Sequence, residues 1–375
     1  MEAAGFDALL VFYPARVAYL TGFHFVPTER PVALLLGDGY TALVVPAVEK
    51  EHAETIPGID RVEVYFEYPG TQAPMERVRL ALADINASPT RCAADHDGYV
   101  PHWGYRGPRL SELTGHPVAD GELLVEELRR VKSPTELRCI QLSCDWAVKA
   151  HRRMQDAIRT GRTEIESYGP AEMETLQEMI GAMPGWRPRG FSGSGLTAMF
   201  VGGRSTAMPH GFVRGRGIGA GDVLVSGAAA DIDGYHSELE RTMVVGEPSA
   251  AQRSAFEAML ALQTHAIDLL RPGRPVAEID SEVRALARQL GHEGNLRHHP
   301  GHSIGLEAHE APFLDRGDPA VLEEGMVFTV EPGLYLAELG GFRHSDTVAV
   351  TAGGPRSMTP YPRDLDSLII PDRRD

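Results

Sequence analysis

The sequence is poor in cysteine, and its few cysteines form no recognisable pattern. They are Cys92, Cys139 and Cys144, and no two of them have the C-x-x-C spacing. A small and odd number of unpatterned cysteines argues against a disulfide framework and indicates reduced thiols. We therefore predict a cytoplasmic protein.

The sequence also lacks the features of membrane and secreted proteins. No uninterrupted apolar run approaches the roughly 20 residues that a membrane-spanning helix needs. The N-terminus has no basic flank followed by an apolar stretch, so we expect no signal peptide.

Positive charge is scarce relative to negative charge. The chain has 36 Lys and Arg residues against 52 Asp and Glu residues, which gives a net charge of −16. An acidic protein is disfavoured as a nonspecific partner of nucleic acids or anionic membranes. We therefore expect neither partner, and we expect a small-molecule substrate instead.

The length of the chain and one helix-start signal predict two domains. A chain of 375 residues is long for one hydrophobic core. Its first 120 residues alternate short apolar runs with one helical pattern, as in an α/β domain. Ser133, Pro134 and Glu136 then form a helix cap, a first helical residue and a capping box. We divide the chain into residues 1–129 and 130–375.

The second half alternates strands and helices as well. Residues 221–225 and 241–245 have the composition of a strand and its returning partner. Residues 251–270 and 275–290 carry apolar side chains at helical spacing. We therefore predict an α/β (α+β) fold throughout.

A dense group of histidines near the end of the chain is the strongest functional signal. His298, His302 and His309 have Gly301 and Gly305 between them, in the stretch H-H-P-G-H-S-I-G-L-E-A-H-E. Imidazoles bind metals, relay protons and stabilise developing oxyanions, while glycines let a backbone approach a ligand. The flanks resemble a helix end and a strand, so the pattern indicates a site and not a solvated loop.

These histidines and the later motif Glu331-Pro332-Gly333 resemble the signature of the pita-bread hydrolases. That superfamily includes methionine aminopeptidases, Xaa-Pro aminopeptidases, prolidases, creatinase and ectoine hydrolase. Residues 16–23 are similar to the start of the N-terminal domains of creatinase and prolidase. The resemblance implies a creatinase-type N-terminal domain, a pita-bread catalytic domain and a homodimer.

The resemblance maps only part of the family's metal site onto this chain. Metal-dependent members use two Asp, one His and two Glu, and the matching residues are Glu238, His302 and Glu331. Gly227 and Ser345 stand at the other two positions. A paired-metal site needs about four carboxylates. We therefore expect no cofactor, although the three remaining residues can hold a single divalent metal.

Glu240 is a second departure, because the resembling peptidases have Thr there and creatinase has Glu. Glu240 and Glu331 would place two carboxylates beside His210, His302 and His309. Carboxylates bind guanidinium or amidine groups through paired, charge-assisted hydrogen bonds. The central carbon of a protonated guanidinium or amidine group is already electrophilic, so its hydrolysis needs no Lewis acid. His210 would act as the general base, and the other two histidines would stabilise the tetrahedral intermediate.

We therefore predict a metal-independent hydrolase of a C–N bond in a small amidine, guanidino or amide compound, most like creatinase and ectoine hydrolase. Glu238 and His298 are predicted to contact the substrate. Phe25 and Arg30 are candidates from the N-terminal domain, because creatinase lends residues of that domain to the partner's pocket.

Two alternatives stay open. The first is an Xaa-Pro dipeptidase or aminopeptidase, a metallopeptidase, against which the two missing ligands argue. The second is a catalytically inactive ligand-binding member of the superfamily. The retention of three histidines and three glutamates argues against that second alternative.

Overall fold

The computed structural model describes residues 1–85, 87–100, 103–189 and 195–374, and the chain divides into two compact units. These are Met1–Arg129 and Arg130–Asp375. Each unit has its own β-sheet and its own hydrophobic clusters. Among the helices within the described residues, none combines the length and the apolar character needed to cross a bilayer.

The N-terminal unit is built on a mixed sheet that is covered on both faces. Side chains alternate across a strand, and in the first strand Ala8 and Leu10 enter one hydrophobic cluster while Leu9 and Val11 enter another. This double burial explains the short, fully apolar runs of the sequence. The described strands follow the order β4-β3-β2-β1-β5-β6. They are β1 (Ala8–Val11), β2 (Ala33–Gly37), β3 (Tyr40–Pro46), β4 (Arg61–Tyr65), β5 (Cys92–Ala94) and β6 (Ala119–Asp120), and the helices are α1 (Pro14–Thr21), α2 (Lys50–Ala53), α3 (Pro74–Asp84), α4 (Leu110–Thr114) and α5 (Glu122–Arg130).

The C-terminal unit contains a larger sheet against which long helices pack. Its central path follows the order β12-β11-β13-β16-β10-β8-β7, while β14 and β15 form a separate hairpin. The described strands are β7 (Leu196–Gly202), β8 (Val223–Ile232), β9 (Tyr235–His236), β10 (Leu239–Val245), β11 (His302–Ser303), β12 (Glu310–Phe313), β13 (Val327–Val330), β14 (Gly333–Leu336), β15 (Gly340–Arg343), β16 (Ser345–Thr351), β17 (Gly354–Ser357) and β18 (Ile369–Ile370), and the helices are α6 (Pro134–Ala157), α7 (Glu164–Ala182), α8 (Ala250–Asp268) and α9 (Val276–Gln289).

The predicted helices of this unit are confirmed with small shifts at their ends. Helix α6 begins with the predicted capping box, because the Ser133 side chain accepts from the Glu136 N–H and the Glu136 carboxylate accepts from the Ser133 N–H. Helices α8 and α9 replace the predicted ranges 251–270 and 275–290. Their apolar faces, including Phe256 and Ile279, enter the main hydrophobic cluster.

Three neighbouring strands align the positions at which this chain departs from the metal-binding pattern. In the pairing of β8 with β10, Gly227 lies opposite Glu240. In the pairing of β10 with β16, Glu240 lies opposite Ser345. The strand register therefore places Gly227, Glu240 and Ser345 side by side in one row of the sheet.

Candidate active site

Two carboxylates and one imidazole converge on a single point at the ends of three strands. Glu238 precedes β10, Glu331 follows β13, and His302 opens β11. One ligand atom from each residue lies within 4.8 Å of the ligand atoms of the other two. An ion held there would have two carboxylates and one imidazole as its ligands.

The imidazole of His302 is oriented for a ligand. Its side chain is fully buried, and Nδ1 lies 3.0 Å from the Ser303 carbonyl oxygen. Since a carbonyl only accepts, Nδ1 donates and the lone pair of the neutral ring is on Nε2. Among the described residues Nε2 has no hydrogen-bond partner, although it lies 3.3 Å from Glu331 Oε1. A buried, unpartnered nitrogen that faces a carboxylate fits a cation between them.

The carboxylates of the site are crowded, and their pKa values diverge. Burial, together with the nearby charges of Glu331 and Glu240, raises the pKa of Glu238 to about 8. Burial opposes ionisation of Glu331 too, but His302 and Arg343 outweigh it and lower the pKa of Glu331 to about 2. The site therefore has more carboxylates than its own cations balance.

The guanidinium of Arg343 is hydrogen-bonded to the carboxylate of Glu240. Its Nη2 donates to Glu240 Oε1 at 2.7 Å, and its Nε donates to Glu240 Oε2. Its Nη1 donates to the carbonyl oxygen of Pro209 at 3.2 Å and to the hydroxyl of Tyr335 at 3.1 Å. Nε also lies 3.8 Å from Glu331 Oε2. Arg343 is thus a fixed cation at the edge of the convergent site.

Ser345 and Gly227, which the resemblance aligns with two metal-ligand positions, have different surroundings. Ser345 donates its hydroxyl proton to Glu238 Oε1 at 2.6 Å. Gly227 leaves space, because a Cβ added there would lie 3.7 Å from Glu240 Oε1. The side chains of Glu240 and Ser345 thus occupy the surroundings in which a second cation would need ligands.

The remaining histidines surround the site at different depths. The exposed ring of His309 stacks on the ring of buried His302, with centroids 3.8 Å apart and planes 18° apart. His298 is held by the carbonyl oxygen of His299 on Nδ1 and by the hydroxyl of Tyr335 on Nε2, each at 2.8 Å. Burial lowers the pKa of His298 and of His309, and nearby His302 lowers that of His309 further. Both rings are therefore neutral near pH 7.

His210 lies exposed beside the site, directly after Pro209, whose carbonyl oxygen accepts from Arg343. The structure thus brings together His210, His298, His302, His309, Glu238, Glu240 and Glu331 in the C-terminal unit. Their roles in substrate binding and catalysis stay predictions.

The two candidates from the N-terminal domain have contacts within their own unit. Arg30 pairs with Glu67 at 2.5 Å and with Glu29 at 2.7 Å. Phe25 stacks on Phe23 with ring centroids 5.4 Å apart. Their predicted role at a partner's pocket stays a prediction.

Sequence reasoning missed the main partner of Arg343. Asp346 pairs with Arg241 at 2.8 Å, whereas Arg343 binds Glu240 and lies 3.8 Å from Glu331. Strand alternation contained a usable signal, because Arg343 and Ser345 are two positions apart and share a side of the chain. The pairing with Glu240 depends on strand register, which local sequence does not specify.

Comparison with known proteins supplies an independent line of inference. The model of metallopeptidase family M24 matches residues 138–352, and that of the creatinase/prolidase N-terminal domain matches residues 1–131. The chain is 33% identical over 365 residues to the Xaa-Pro dipeptidase of Pyrococcus horikoshii, which covers 97% of this chain and 96% of the relative. It is 35% identical over 242 residues to the Xaa-Pro dipeptidase of Pyrococcus furiosus, covering 64% and 66%.

Solved structures give the same picture of the fold. The prolidase from Pyrococcus horikoshii OT3 superposes with a TM-score of 0.81 and 26% identity, over 97% of each chain. The Xaa-Pro dipeptidase from Bacillus anthracis superposes with a TM-score of 0.82 at 24% identity, over 97% of this chain and 96% of the other. The predicted creatinase-type domain followed by a pita-bread domain is confirmed.

The predicted amidine or guanidino hydrolase is wrong. The relatives at 33% and 35% identity are named Xaa-Pro dipeptidases. The structure adds a physical reason, since the Glu240 carboxylate that was to bind a substrate guanidinium already binds that of Arg343. The expectation of a metal-independent enzyme has no support either, because the matched family is one of metallopeptidases. The placement near creatinase and ectoine hydrolase is not tested by these likenesses.

Proposed function

The chain belongs to metallopeptidase family M24, and from this premise we propose that it is an Xaa-Pro dipeptidase that works with a single divalent cation. The observation that carries the proposal is the convergence of Glu238, His302 and Glu331 on one point. The near full-length similarity to a protein named Xaa-Pro dipeptidase supports the choice of substrate.

The ligands that this chain retains support a single cation. Glu238, His302 and Glu331 fit one cation, and the unpartnered Nε2 of His302 faces that position. A second cation would need further carboxylates. Both oxygens of Glu240 are bonded to Arg343 instead.

The side chains around the cation position can bind and orient a dipeptide. When bound, a divalent cation supplies Lewis acidity toward the scissile carbonyl. His309 is neutral and exposed above His302, so its ring can donate a hydrogen bond to the oxygen on which negative charge develops. The excess of carboxylates attracts the ammonium group of a dipeptide. Arg343 holds Glu240 in a fixed orientation through two hydrogen bonds.

The test is hydrolysis of defined dipeptides by the full chain with and without metal. Protein stripped with a chelator is assayed on Ala-Pro and Leu-Pro, with Leu-Leu and Pro-Leu as matched control dipeptides. We expect cleavage of the Xaa-Pro substrates only, lost on stripping and restored by Mn²⁺, Co²⁺ or Zn²⁺. Equal activity with and without chelator would reject the metal requirement. Binding of Ala-Pro without cleavage under any cation would favour the inactive ligand-binding alternative.

A further inference from the structure

A buried lysine behind the stacked histidines contacts the residue that follows each of them. The Lys132 side chain is 1% exposed. Its ammonium group donates to Ser303 Oγ at 2.9 Å and to Glu310 Oε2 at 3.3 Å. Ser303 follows His302 and Glu310 follows His309. One cation thus connects the backbones that carry the two stacked rings.

Glu310 closes the loop that carries His309. Its Oε1 accepts the Glu307 N–H at 3.0 Å, while its Oε2 receives the lysine. A Cβ added to Gly305 would lie 2.7 Å from Glu310 Oε2, so the carboxylate packs directly against this part of the loop. Residues 305–309 are therefore folded around the Glu310 carboxylate.

Ser303 anchors the other ring in the same way. Its hydroxyl donates to the Val327 carbonyl oxygen at 3.1 Å, so its oxygen accepts the hydrogen bond from the Lys132 ammonium group. Its carbonyl oxygen accepts from His302 Nδ1, which fixes the tautomer of that ring. The lysine contact and the orientation of His302 are therefore linked through a single residue.

Lys132 and Glu310 are both buried, which increases the free-energy cost of separating the two charges. The Glu310 side chain is also 1% exposed, and a buried carboxylate without a counterion is strongly disfavoured. Lys132 supplies that counterion from the segment before α6, where its own N–H donates to the Gly325 carbonyl oxygen at 3.0 Å. Neither charged group needs to touch a substrate to fulfil this role.

We propose that Lys132 and Glu310 are a positioning pair that sets the stacked geometry of His302 and His309. The proposal rests on the proposed dipeptidase function only for its kinetic readout. Displacements of about 1 Å in catalytic groups can lower rates by roughly 100-fold. Loss of the pair should therefore affect turnover more than substrate affinity.

The first experiment compares Glu310→Gln with Asp280→Asn in the full chain. Asp280 is a matched control, because its side chain is also 1% exposed and pairs with Arg284 at 2.8 Å and with Arg316 at 3.1 Å, and it lies on α9, which carries neither stacked histidine. We expect Glu310→Gln to lower kcat roughly 30-fold or more with a smaller change in KM. Asp280→Asn should leave kcat unchanged. Equal losses in both variants would overturn the proposal, since they would indicate a general stability effect.

The second experiment follows the ring nitrogens by 1H–15N NMR of histidine-labelled, metal-free protein. We expect Glu310→Gln and Lys132→Met to shift the His302 and His309 signals, and Asp280→Asn to leave them in place. Lys132→Arg, which keeps the charge, should restore part of the wild-type spectrum. Unchanged signals in Glu310→Gln would overturn the proposal, even if no dipeptide is ever cleaved.

The double variant Lys132→Met/Glu310→Gln covers the case in which a single variant fails to fold. Removing both charges leaves no unpaired buried ion, so the protein should be more stable than either single variant. We expect its His302 and His309 signals to remain displaced from the wild type. A folded double variant with wild-type signals and wild-type kcat would overturn the proposal.

Discussion

Arg16 in the N-terminal unit and Arg343 in the C-terminal unit are both largely shielded from solvent. They show how the same residue types give a structural cluster in one place and a candidate active site in the other. In the N-terminal unit, Arg16 is 8% exposed and bonds to Asp95, Glu122 and Glu126 at 3.3, 2.6 and 2.7 Å. Each carboxylate therefore contacts the cation directly. The cluster joins the end of β1 to α5, because Asp95 also accepts the Phe12 N–H at 2.8 Å.

In the C-terminal unit, Arg343 forms an ion pair with Glu240 and lies 3.8 Å from Glu331, but it forms no ion pair with Glu238. Among the described residues Glu238 makes no ion pair, and it accepts the Ser345 hydroxyl instead. Its pKa is raised to about 8, by burial and then by the nearby carboxylates. A carboxylate without its own cation, beside an unpartnered imidazole nitrogen, distinguishes the candidate active site from a structural ion cluster.

The largest expected effect comes from removing the imidazole of the convergent site. His302→Ala should lower kcat/KM on Ala-Pro by more than about 100-fold. Removing a residue that only hydrogen-bonds to a metal ligand already lowers metal affinity or activity roughly 10- to 100-fold. It should also abolish Mn²⁺ binding measured by calorimetry. The matched control His265→Ala removes a partly exposed histidine and should leave both quantities unchanged. Unchanged Mn²⁺ affinity in His302→Ala would contradict the assigned site.

The corresponding change in the N-terminal unit should affect stability and not turnover. Arg16→Met leaves the fully buried Asp95 without its cation, which should cost roughly 3 kcal/mol. The measurement is urea unfolding of the full chain, with kcat determined on the folded protein. Arg91→Ala removes an exposed pair with Asp7 and should cost less than about 1 kcal/mol. Equal losses in the two variants would show that the Arg16 cluster is not special.

A smaller effect is expected when Arg343 loses its partner. Glu240→Gln removes a negative charge beside Glu238, so the pKa of Glu238 should fall from about 8 toward its ordinary value. The measurement is 13C NMR titration of glutamate side chains in the metal-free protein. We expect kcat to fall only about tenfold, as for partners that lie outside the ligand set. A pKa of Glu238 that does not move would contradict the charge crowding inferred for this site.

A further effect, spread over several pH units, is a pH dependence of stability. The folded-state pKa of Glu238 is raised above its ordinary value of 4.5 to about 8, so the folded protein binds more protons than the unfolded chain between these values. The contribution of Glu238 to the stability of the metal-free protein should therefore decrease as pH rises through this window, by at most about 1.4 kcal/mol per pH unit. Tm at pH 5, 6, 7 and 8 measures it.

The matched variant for the pH test is Glu238→Gln, which cannot ionise. The Tm of the wild type relative to that of Glu238→Gln should fall as pH rises over the same range. Buried histidines with a lowered pKa, such as His298 and His309, act with the opposite sign but equally in both proteins, so the difference isolates Glu238. Glu331 does not mask the result, because its pKa is lowered to about 2 and its contribution is lost only as pH falls below its ordinary value. A slope that is identical in wild type and Glu238→Gln would assign the effect to another group.

The local features of the fold were predictable from the sequence because they depend on neighbouring residues. The capping box of α6 needs Ser133 and Glu136 only three positions apart. The apolar runs of the N-terminal unit specify buried strands by their side chains alone. The composition of the site was also visible, since the histidines and the missing ligands at Gly227 and Ser345 are properties of single positions. The sequence by itself thus determined the two-domain fold, and the family resemblance added the prediction that Gly227 and Ser345 stand at ligand positions.

What only the tertiary structure decided is which charged groups meet. Arg343 and Glu240 are 103 positions apart, and their contact depends on the register of β10 and β16 and on the hairpin of β14 and β15. Once that guanidinium lies on Glu240, the carboxylate is no longer free for a substrate guanidinium. Long-range pairing is set by the packing of whole strands, and not by the residues that pair. For this reason the sequence identified the acids of the site but not the cation that neutralises one of them.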